Sequence, residues 1–210
     1  MKLEPALAAC PIVAILRGIQ PHEAVAHAAA LFGAGIRALE VPLNSPHPLE
    51  SVAAIAAEFA GRMAVGAGTV LTADQVEAVA DVGGGFVVSP NTEAAVIRAA
   101  LARGLEPVPG FATATEAFTA YAAGARRLKL FPAASYGVGH LGLLKAVLPS
   151  DAEVWAVGGV GPSDLSRWRD AGARAFGLGG ELYRPGQQTA RTAETAARAV
   201  AAFRGLDARA

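Results

Sequence analysis

The chain repeats one pattern of hydrophobic and polar positions from near its start to its end. A short apolar run is followed by a turn rich in Gly, Pro, Asn, Ser or Thr, and then by an alanine-rich segment whose apolar positions recur with the period of a helix. The apolar runs predict strands over residues 11–16, 38–42, 63–68, 86–89, 106–109, 126–131, 153–158 and 174–179. The fifth is the weakest, because Pro107 and Pro109 have no backbone N–H to donate to a ladder.

Helices are predicted over residues 3–10, 21–33, 48–59, 115–123 and 189–203, with others opening at Thr72 and after Asn91. A short N-terminal helix followed by eight strand-then-helix units predicts an α/β fold, a parallel sheet closed into a compact (β/α)8 TIM barrel. No change of composition marks a linker, so we predict a single domain over residues 1–210. A doubly wound open sheet shares the local pattern, but no Gly-x-Gly-x-x-Gly follows the first strand.

Charge and cysteine content narrow the function classes. The 18 Lys and Arg side chains balance 18 Asp and Glu, which argues against a protein that binds nucleic acid or an anionic membrane. Hydrophobic residues make up 53% of the chain, yet no apolar run is long enough to span a bilayer, and residues 1–5 lack the apolar core of a signal peptide. Cys10 is the single cysteine, so no internal disulfide can form, which fits a reducing cytoplasm. We therefore expect small molecules or copies of the chain as partners, and no nucleic acid or membrane.

Lys129 is a charged residue within the sixth apolar run, next to Leu130. A lysine near the carboxyl end of a short strand, close to Arg126 and Arg127, is expected to have a lowered pKa, because burial and like charge both disfavour the ammonium form. A neutral amine attacks ketones, so Lys129 is a candidate nucleophile. The alternative is a lysine that reaches the surface from the end of a strand.

Glu40 is the acidic residue of the second strand, where alternation points it to the opposite face from Leu39 and Val41. A carboxylate inside a barrel is costly unless it has a partner, so packing alone does not explain it. Two interpretations remain open. Glu40 is either a structural ion-pair partner of Arg17 or Lys129, or a general acid/base that moves protons to and from carbon or through a bound water.

Two glycine clusters, at residues 157–162 and 177–180, lie at the ends of the seventh and eighth strands, where barrels of this kind often hold phosphate. Glycine lets the backbone approach a ligand, and the start of a helix favours an anion. The alternative is that both clusters are only tight turns. Arg17, after the first strand, can add a charge for a phosphate or carboxylate, and Thr69 is a candidate hydrogen-bond donor to a substrate carboxylate.

Several of these positions lie in motifs that together resemble the class I 2-keto-3-deoxy-6-phospho-sugar-acid aldolases, and the resemblance covers essentially the whole chain. The motifs are Ile-Leu-Arg-Gly at 15–18, Leu-Glu-Val-Pro-Leu-Asn-Ser-Pro at 39–46, Gly-Ala-Gly-Thr-Val-Leu at 66–71, Ser-Pro-Asn at 89–91, Lys-Leu-Phe-Pro at 129–132 and Ala-Val-Gly-Gly-Val at 156–160.

The resemblance implies that Lys129 forms a Schiff base with pyruvate or the substrate ketone and that Glu40 transfers protons. It implies a homotrimer and no cofactor. We expect no catalytic metal either, because the four histidines show no ligand spacing. The resemblance and the glycine clusters together give the residues expected to bind substrate, which are Arg17, Thr69, Val157, Gly158, Gly159, Val160, Leu178, Gly179 and Gly180.

Within that family the chain is more similar to the enzymes that act on the 6-phosphogalactonate derivative than to those that act on the 6-phosphogluconate derivative. The Pro-Leu-Asn-Ser-Pro at 42–46 differs from the Thr-Leu-Arg-Thr of the latter, and Val157 stands where they usually carry a threonine. A threonine can bond the C4 hydroxyl of one epimer and a valine cannot. Gly180 departs from the serine expected in the family, which leaves more of the phosphate contact to backbone N–H groups.

Two other functions fit the same residues. One is a phosphate-binding barrel isomerase or epimerase, in which Glu40 abstracts a proton and Lys129 acts only through its charge. The other is a sugar-phosphate binding protein without turnover. Only the aldolase interpretation predicts a covalent adduct between pyruvate and Lys129 after borohydride treatment.

Overall fold

The computed structural model describes residues 1–207, and within that range strands alternate with helices after a first helix. The strands are β1 (Ile12–Ile15), β2 (Ala38–Pro42), β3 (Ala64–Gly68), β4 (Phe86–Val88), β5 (Glu106–Val108), β6 (Gly110–Phe111), β7 (Arg127–Leu130), β8 (Glu153–Val157) and β9 (Ala173–Leu178). The helices are α1 (Leu3–Ala9), α2 (Pro21–Ala34), α3 (Pro48–Glu58), α4 (Ala73–Asp81), α5 (Ala94–Ala102), α6 (Ala114–Ala122), α7 (Ala133–Lys145), α8 (Leu165–Asp170) and α9 (Thr189–Asp207), with one 3-10 turn, Pro162–Asp164, before α8.

The strands form one parallel sheet that curls into a barrel. Their order is β5-β4-β3-β2-β1-β9-β8-β7-β6, so β1 pairs with both β2 and β9. The two ends of this order are neighbours in sequence, separated only by Pro109, whose carbonyl accepts a 2.8 Å hydrogen bond from the Lys129 N–H. The predicted barrel is therefore confirmed and the open sheet is excluded. The fifth strand is divided into β5 and β6, as expected where prolines interrupt a ladder.

Alternation along the strands sorts their side chains into two cores. Side chains facing outward, such as Ile12, Leu39 and Leu178, pack under the helices. Side chains facing inward fill the lumen, and they include Val13, Phe86, Val88, Val108, Trp155 and Val157, with Leu3 and Ala6 of α1 beneath them. Helix α1 thus covers the end of the barrel at which the strands begin, and the opposite end stays open for a ligand.

Arg127 lies at the covered end of the lumen and is 11% exposed as a side chain. It pairs with Glu106 at 2.9 Å, with Glu153 at 3.0 Å and with Glu4 of α1. Arg126 instead pairs with Asp151 on the outside, at 3.2 Å. Neither arginine is a source of the pKa shift of Lys129, which corrects the expectation drawn from their closeness in sequence.

Among residues 1–207, no helix combines the length and the apolar character that a membrane crossing requires.

Candidate active site

Lys129 is held inside the barrel by β7, two residues beyond Arg127 on the same inward face. The residue is only 7% exposed, and its Nζ lies 4.5 Å from the ring centroid of Phe131. Burial lowers the pKa of Lys129 to about 8, the charge of Glu40 acts in the opposite direction, and the charge of Arg17 adds to the lowering. A usable fraction of neutral amine is therefore present near neutral pH.

Glu40 projects into the same lumen from β2 and is 3% exposed. Within the described part of the chain its Oε2 has no hydrogen-bond partner. Burial raises the pKa of Glu40 to about 7, against the opposing charges of Lys129 and Arg17. Glu40 and Lys129 line one small chamber, whose other walls are Val13, Ile15, Val88, Trp155, Val157 and Gly177. A carboxyl that titrates near neutrality beside an amine that does the same is suited to moving protons.

Gly68, at the end of β3, makes room for the Glu40 carboxylate. A Cβ at this position would overlap both carboxylate oxygens, and Gly68 has an extended backbone that other residues also adopt. Glycine is therefore required at position 68 for steric reasons, because the buried Glu40 on the neighbouring strand β2 occupies the space that a side chain there would fill.

A cleft of about 800 Å³ opens above the chamber. Its walls include most of the predicted substrate-binding residues, namely Arg17, Val157, Gly158, Gly159, Val160, Gly179 and Gly180. Gly158 and Gly159 have φ values of 92° and 71°, a left-handed backbone that favours glycine. Ile15, Val157 and Gly177 line both the cleft and the chamber, so the two spaces adjoin.

Two of the predicted residues lie elsewhere. Leu178 is fully buried and faces the helix layer, and its neighbours Gly177 and Gly179 line the cleft instead. Thr69 directly follows Gly68 and does not line the cleft, but its φ of 57° is uncommon for a β-branched residue. Such strain is concentrated at functional sites, so the position of Thr69 beside the Glu40 pocket is compatible with a substrate contact.

Arg17 is exposed at the cleft rim and is oriented by the loop after β2. Its Nη1 donates a 2.6 Å hydrogen bond to Asn44 Oδ1. The N–H of Gly18 donates to Ser45 Oγ at 2.9 Å. These two bonds join the loop after β1 to the Pro-Leu-Asn-Ser-Pro segment, so both loops shape the rim.

The cleft also contains residues that the sequence prediction missed, chiefly Tyr183 and Arg184. The Nε of Arg184 donates a 3.2 Å hydrogen bond to the carbonyl of Gly180. A Cβ at Gly180 would lie 4.0 Å from that same Nε. Arg184 thus lies next to position 180, where the resemblance predicts a serine side chain. The sequence feature that could have pointed to it is a positively charged residue four positions after Gly180.

Residues 1–207 contain no group of three or more His, Cys, Asp or Glu side chains arranged to hold a metal ion.

Comparison with known proteins gives one consistent result. The family model described as "Aldolase: KDPG and KHG aldolase" matches residues 3–194. The chain is 51% identical over 194 residues to "2-dehydro-3-deoxy-6-phosphogalactonate aldolase" of Escherichia coli (strain K12), covering 92% of this chain and 95% of the relative. It is 46% identical over 193 residues to "Probable 2-dehydro-3-deoxy-6-phosphogalactonate aldolase" of Rhizobium meliloti (strain 1021), covering 92% and 91%. A solved structure described as "Native KDPGal structure" superposes with a TM-score of 0.92 at 50% identity, covering 94% of this chain and 96% of the other.

Proposed function

The chain belongs to the KDPG and KHG aldolase family, and we propose that it cleaves 2-dehydro-3-deoxy-6-phosphogalactonate reversibly to pyruvate and glyceraldehyde 3-phosphate through a Schiff base at Lys129. The observation that carries the proposal is the buried pair of Lys129 and Glu40 in one chamber beside a glycine-lined cleft. The decisive experiment is a coupled pyruvate-release assay on both 6-phosphorylated epimers with a chelator present. Release of pyruvate from the galactonate derivative supports the proposal, and its absence from both epimers contradicts it.

The first chemical step uses Lys129. Its neutral Nζ adds to C2 of the keto acid, a proton from the solvent lets the resulting C2 hydroxyl leave as water, and the nitrogen, which keeps one hydrogen, becomes a protonated imine. The imine is conjugated to the C3–C4 bond and accepts the electron pair that the bond releases. The positive charge on nitrogen supplies the stabilisation that the step requires, so Lys129 alone can act as the electron sink.

The second step uses Glu40. Its carboxylate takes the proton of the C4 hydroxyl, either directly or through a water, and the C3–C4 bond breaks to release glyceraldehyde 3-phosphate. The remaining enamine is protonated at C3 and hydrolysed, which frees pyruvate and the amine. The raised pKa of Glu40 suits it to accept and return a proton at neutral pH.

The 6-phosphate is assigned to the cleft, between the glycine loops after β8 and β9. We assign the supporting positive charge to Arg184, because it lies beside Gly180, where a serine hydroxyl is missing. Arg17, on the opposite part of the rim, is assigned to the substrate carboxylate or phosphate. Thr69 is assigned to the substrate carboxylate end, near Glu40.

Arg184→Gln is expected to raise KM for the phosphorylated substrate by about 10- to 100-fold with little change in kcat, since a hydrogen bond to a charged group is removed far from the reacting carbon. Steady-state pyruvate release measures both constants. Arg98→Gln is the matched control, because Arg98 is exposed on α5 and its loss changes the net charge equally. An equal rise of KM in both variants, or no rise for Arg184→Gln, would mean that Arg184 does not bind the phosphate.

The choice of the galactonate epimer is supported by both named relatives and by Val157. Val157 is buried where the chamber adjoins the cleft, and its side chain offers no hydrogen bond to a C4 hydroxyl. The phosphogluconate derivative remains the alternative substrate.

Val157→Thr should shift the ratio of kcat/KM toward the phosphogluconate derivative by about fivefold, because one added hydrogen bond is worth roughly 1 kcal/mol. The exchange keeps the side-chain shape, so the fold is not expected to change. The measurement is kcat/KM on both epimers for the two proteins. An unchanged ratio would mean that the side chain at position 157 does not determine which epimer is preferred.

We further propose a homotrimer of single-domain chains, residues 1–210, that acts in the cytoplasm. Exposed apolar side chains on α5, α6 and α7 support self-association; they are Leu101, Phe118, Tyr136 and Leu143, with Val147 just after α7. Leu143 is the most exposed of these side chains, at 77%. A single free, buried Cys10 is compatible with a reducing compartment.

A further inference from the structure

The rim segment, residues 181–187, follows β9 and closes one side of the cleft. Leu182 and Tyr183 are the buried residues of this segment, and Tyr183, at 2% exposure, also contributes to the cleft wall. Its hydroxyl donates a 2.8 Å hydrogen bond to Glu23 Oε1 on α2. Its ring meets the imidazole of His27 edge to face, with centroids 4.9 Å apart. Tyr183, which directly precedes Arg184, is thus bonded to helix α2.

Glu23 joins two parts of the rim through one carboxylate oxygen. The Oε1 that accepts from Tyr183 also accepts the N–H of Gln20 at 3.2 Å, where α2 begins. Helix α2 begins directly after the loop that carries Arg17 and Gly18. The same loop touches the rim segment, since a Cβ at Gly18 would lie 2.7 Å from Pro185 Cγ. Glu23 therefore connects the Arg17 side of the cleft to the Arg184 side.

A second group of polar contacts, partly buried, joins the two ends of the rim segment. Gln187 Nε2 donates to Thr192 Oγ1 at 2.9 Å and to the Leu182 carbonyl at 2.8 Å. Thr192 Oγ1 also lies within hydrogen-bond distance of His27 Nδ1, at 2.8 Å. The other imidazole nitrogen, Nε2, lies 3.9 Å from Glu23 Oε2. Burial lowers the pKa of His27, so the neutral ring persists at neutral pH.

We propose that Tyr183 and Glu23 are positioning residues that hold the rim segment, and with it Arg184, at the distance from the Arg17 loop that a phosphorylated substrate requires. The inference rests on the proposed function for its substrate. Neither residue is placed at the reacting atoms. Both act on substrate binding through Arg184 and the glycine loop at 179–180.

Tyr183→Phe removes the hydroxyl and keeps the ring against His27. We expect KM for the phosphorylated substrate to rise about fivefold with kcat unchanged, as for the loss of one hydrogen bond. Exchange of the pyruvate methyl protons with solvent, which needs Lys129 but no phosphate, should stay at the wild-type rate. Glu23→Ala should reproduce the rise in KM, and Glu23→Gln, which keeps an oxygen that accepts both bonds, should largely restore the wild-type value.

A double-mutant cycle separates positioning from general loosening. In the Arg184→Gln background, Tyr183→Phe should add less than about twofold to KM, because the two changes remove the same contact to phosphate. Multiplying effects, a fall in the pyruvate exchange rate, or an unchanged KM in Tyr183→Phe would each overturn the proposal. Titration with inorganic phosphate gives a readout without turnover. A protein that forms no lysine adduct but loses phosphate affinity about fivefold on Tyr183→Phe would refute the aldolase reaction and retain the positioning link.

Discussion

Lys129→Met is expected to lower kcat for cleavage by on the order of 10⁴-fold or more, because the nucleophile that carries the covalent intermediate is gone. Methionine is unbranched and apolar, so it fits the buried position. The thermal midpoint should equal or exceed that of the wild type, because the burial that depresses the pKa of Lys129 also opposes its charged form. A folded but inactive protein is therefore the predicted outcome.

The covalent step is measured by borohydride reduction in the presence of pyruvate, followed by mass spectrometry of the peptides. The sequence contains three lysines, Lys2, Lys129 and Lys145, so the modified residue is easily assigned. The wild type should carry one pyruvyl adduct at Lys129, and Lys129→Met should carry none. Lys2→Met is the control, since Lys2 is exposed at the covered end of the barrel and should leave adduct and activity unchanged.

Lys129→Arg distinguishes the aldolase from an isomerase or epimerase in which Lys129 contributes only charge. Arginine keeps a positive charge but is not a nucleophile at neutral pH. The aldolase reaction predicts that Lys129→Arg is as inactive as Lys129→Met. Substantial turnover by Lys129→Arg, together with a wild type that forms no adduct, would favour the isomerase.

The barrel and the central pair of the site were predictable from local patterns. The repeat of apolar run, turn and amphipathic segment specified the order of strands and helices, and alternation placed Glu40 and Lys129 on inward faces. Alternation gives the face of a residue but not its height in the barrel. That is why Arg127, which shares an inward face with Lys129, was wrongly taken as a source of its pKa shift although it lies among carboxylates at the covered end.

The parts of the site that depend on tertiary contacts were not predictable. Tyr183 and Arg184 lie in a loop whose conformation is fixed by Glu23, 160 residues away in sequence. The sequence predicts residues 178–180 together as one substrate-binding glycine loop, whereas alternation points the side chain of Leu178 to the helix layer and leaves Gly177 and Gly179 along the cleft. The steric role of Gly68 depends on an acid in a neighbouring strand, so no local pattern could reveal it.

Glu40→Gln is expected to lower kcat by about 10²- to 10⁴-fold, the usual contribution of a general acid/base. The amide fills nearly the same volume and cannot transfer the proton. Gly68→Ala offers an independent route to the same loss, because the new Cβ overlaps the Glu40 carboxylate and forces it from its place. Gly33→Ala is the matched control, since a Cβ there meets no atom within 4 Å.

The effect of Glu40→Gln can also be measured without turnover, as a change in the pKa of Lys129. The charge of Glu40 raises the pKa of Lys129, so removing that charge should move it below its value of about 8. Labelling of Lys129 by a small acylating reagent follows the neutral amine, and its midpoint should therefore shift to lower pH in Glu40→Gln. An unshifted midpoint would mean that the two groups do not interact across the lumen, and a midpoint near that of a free lysine would mean that Lys129 is not buried. The first result would contradict the electrostatic coupling of Glu40 and Lys129, and the second would contradict the burial that leaves neutral amine for imine formation at neutral pH.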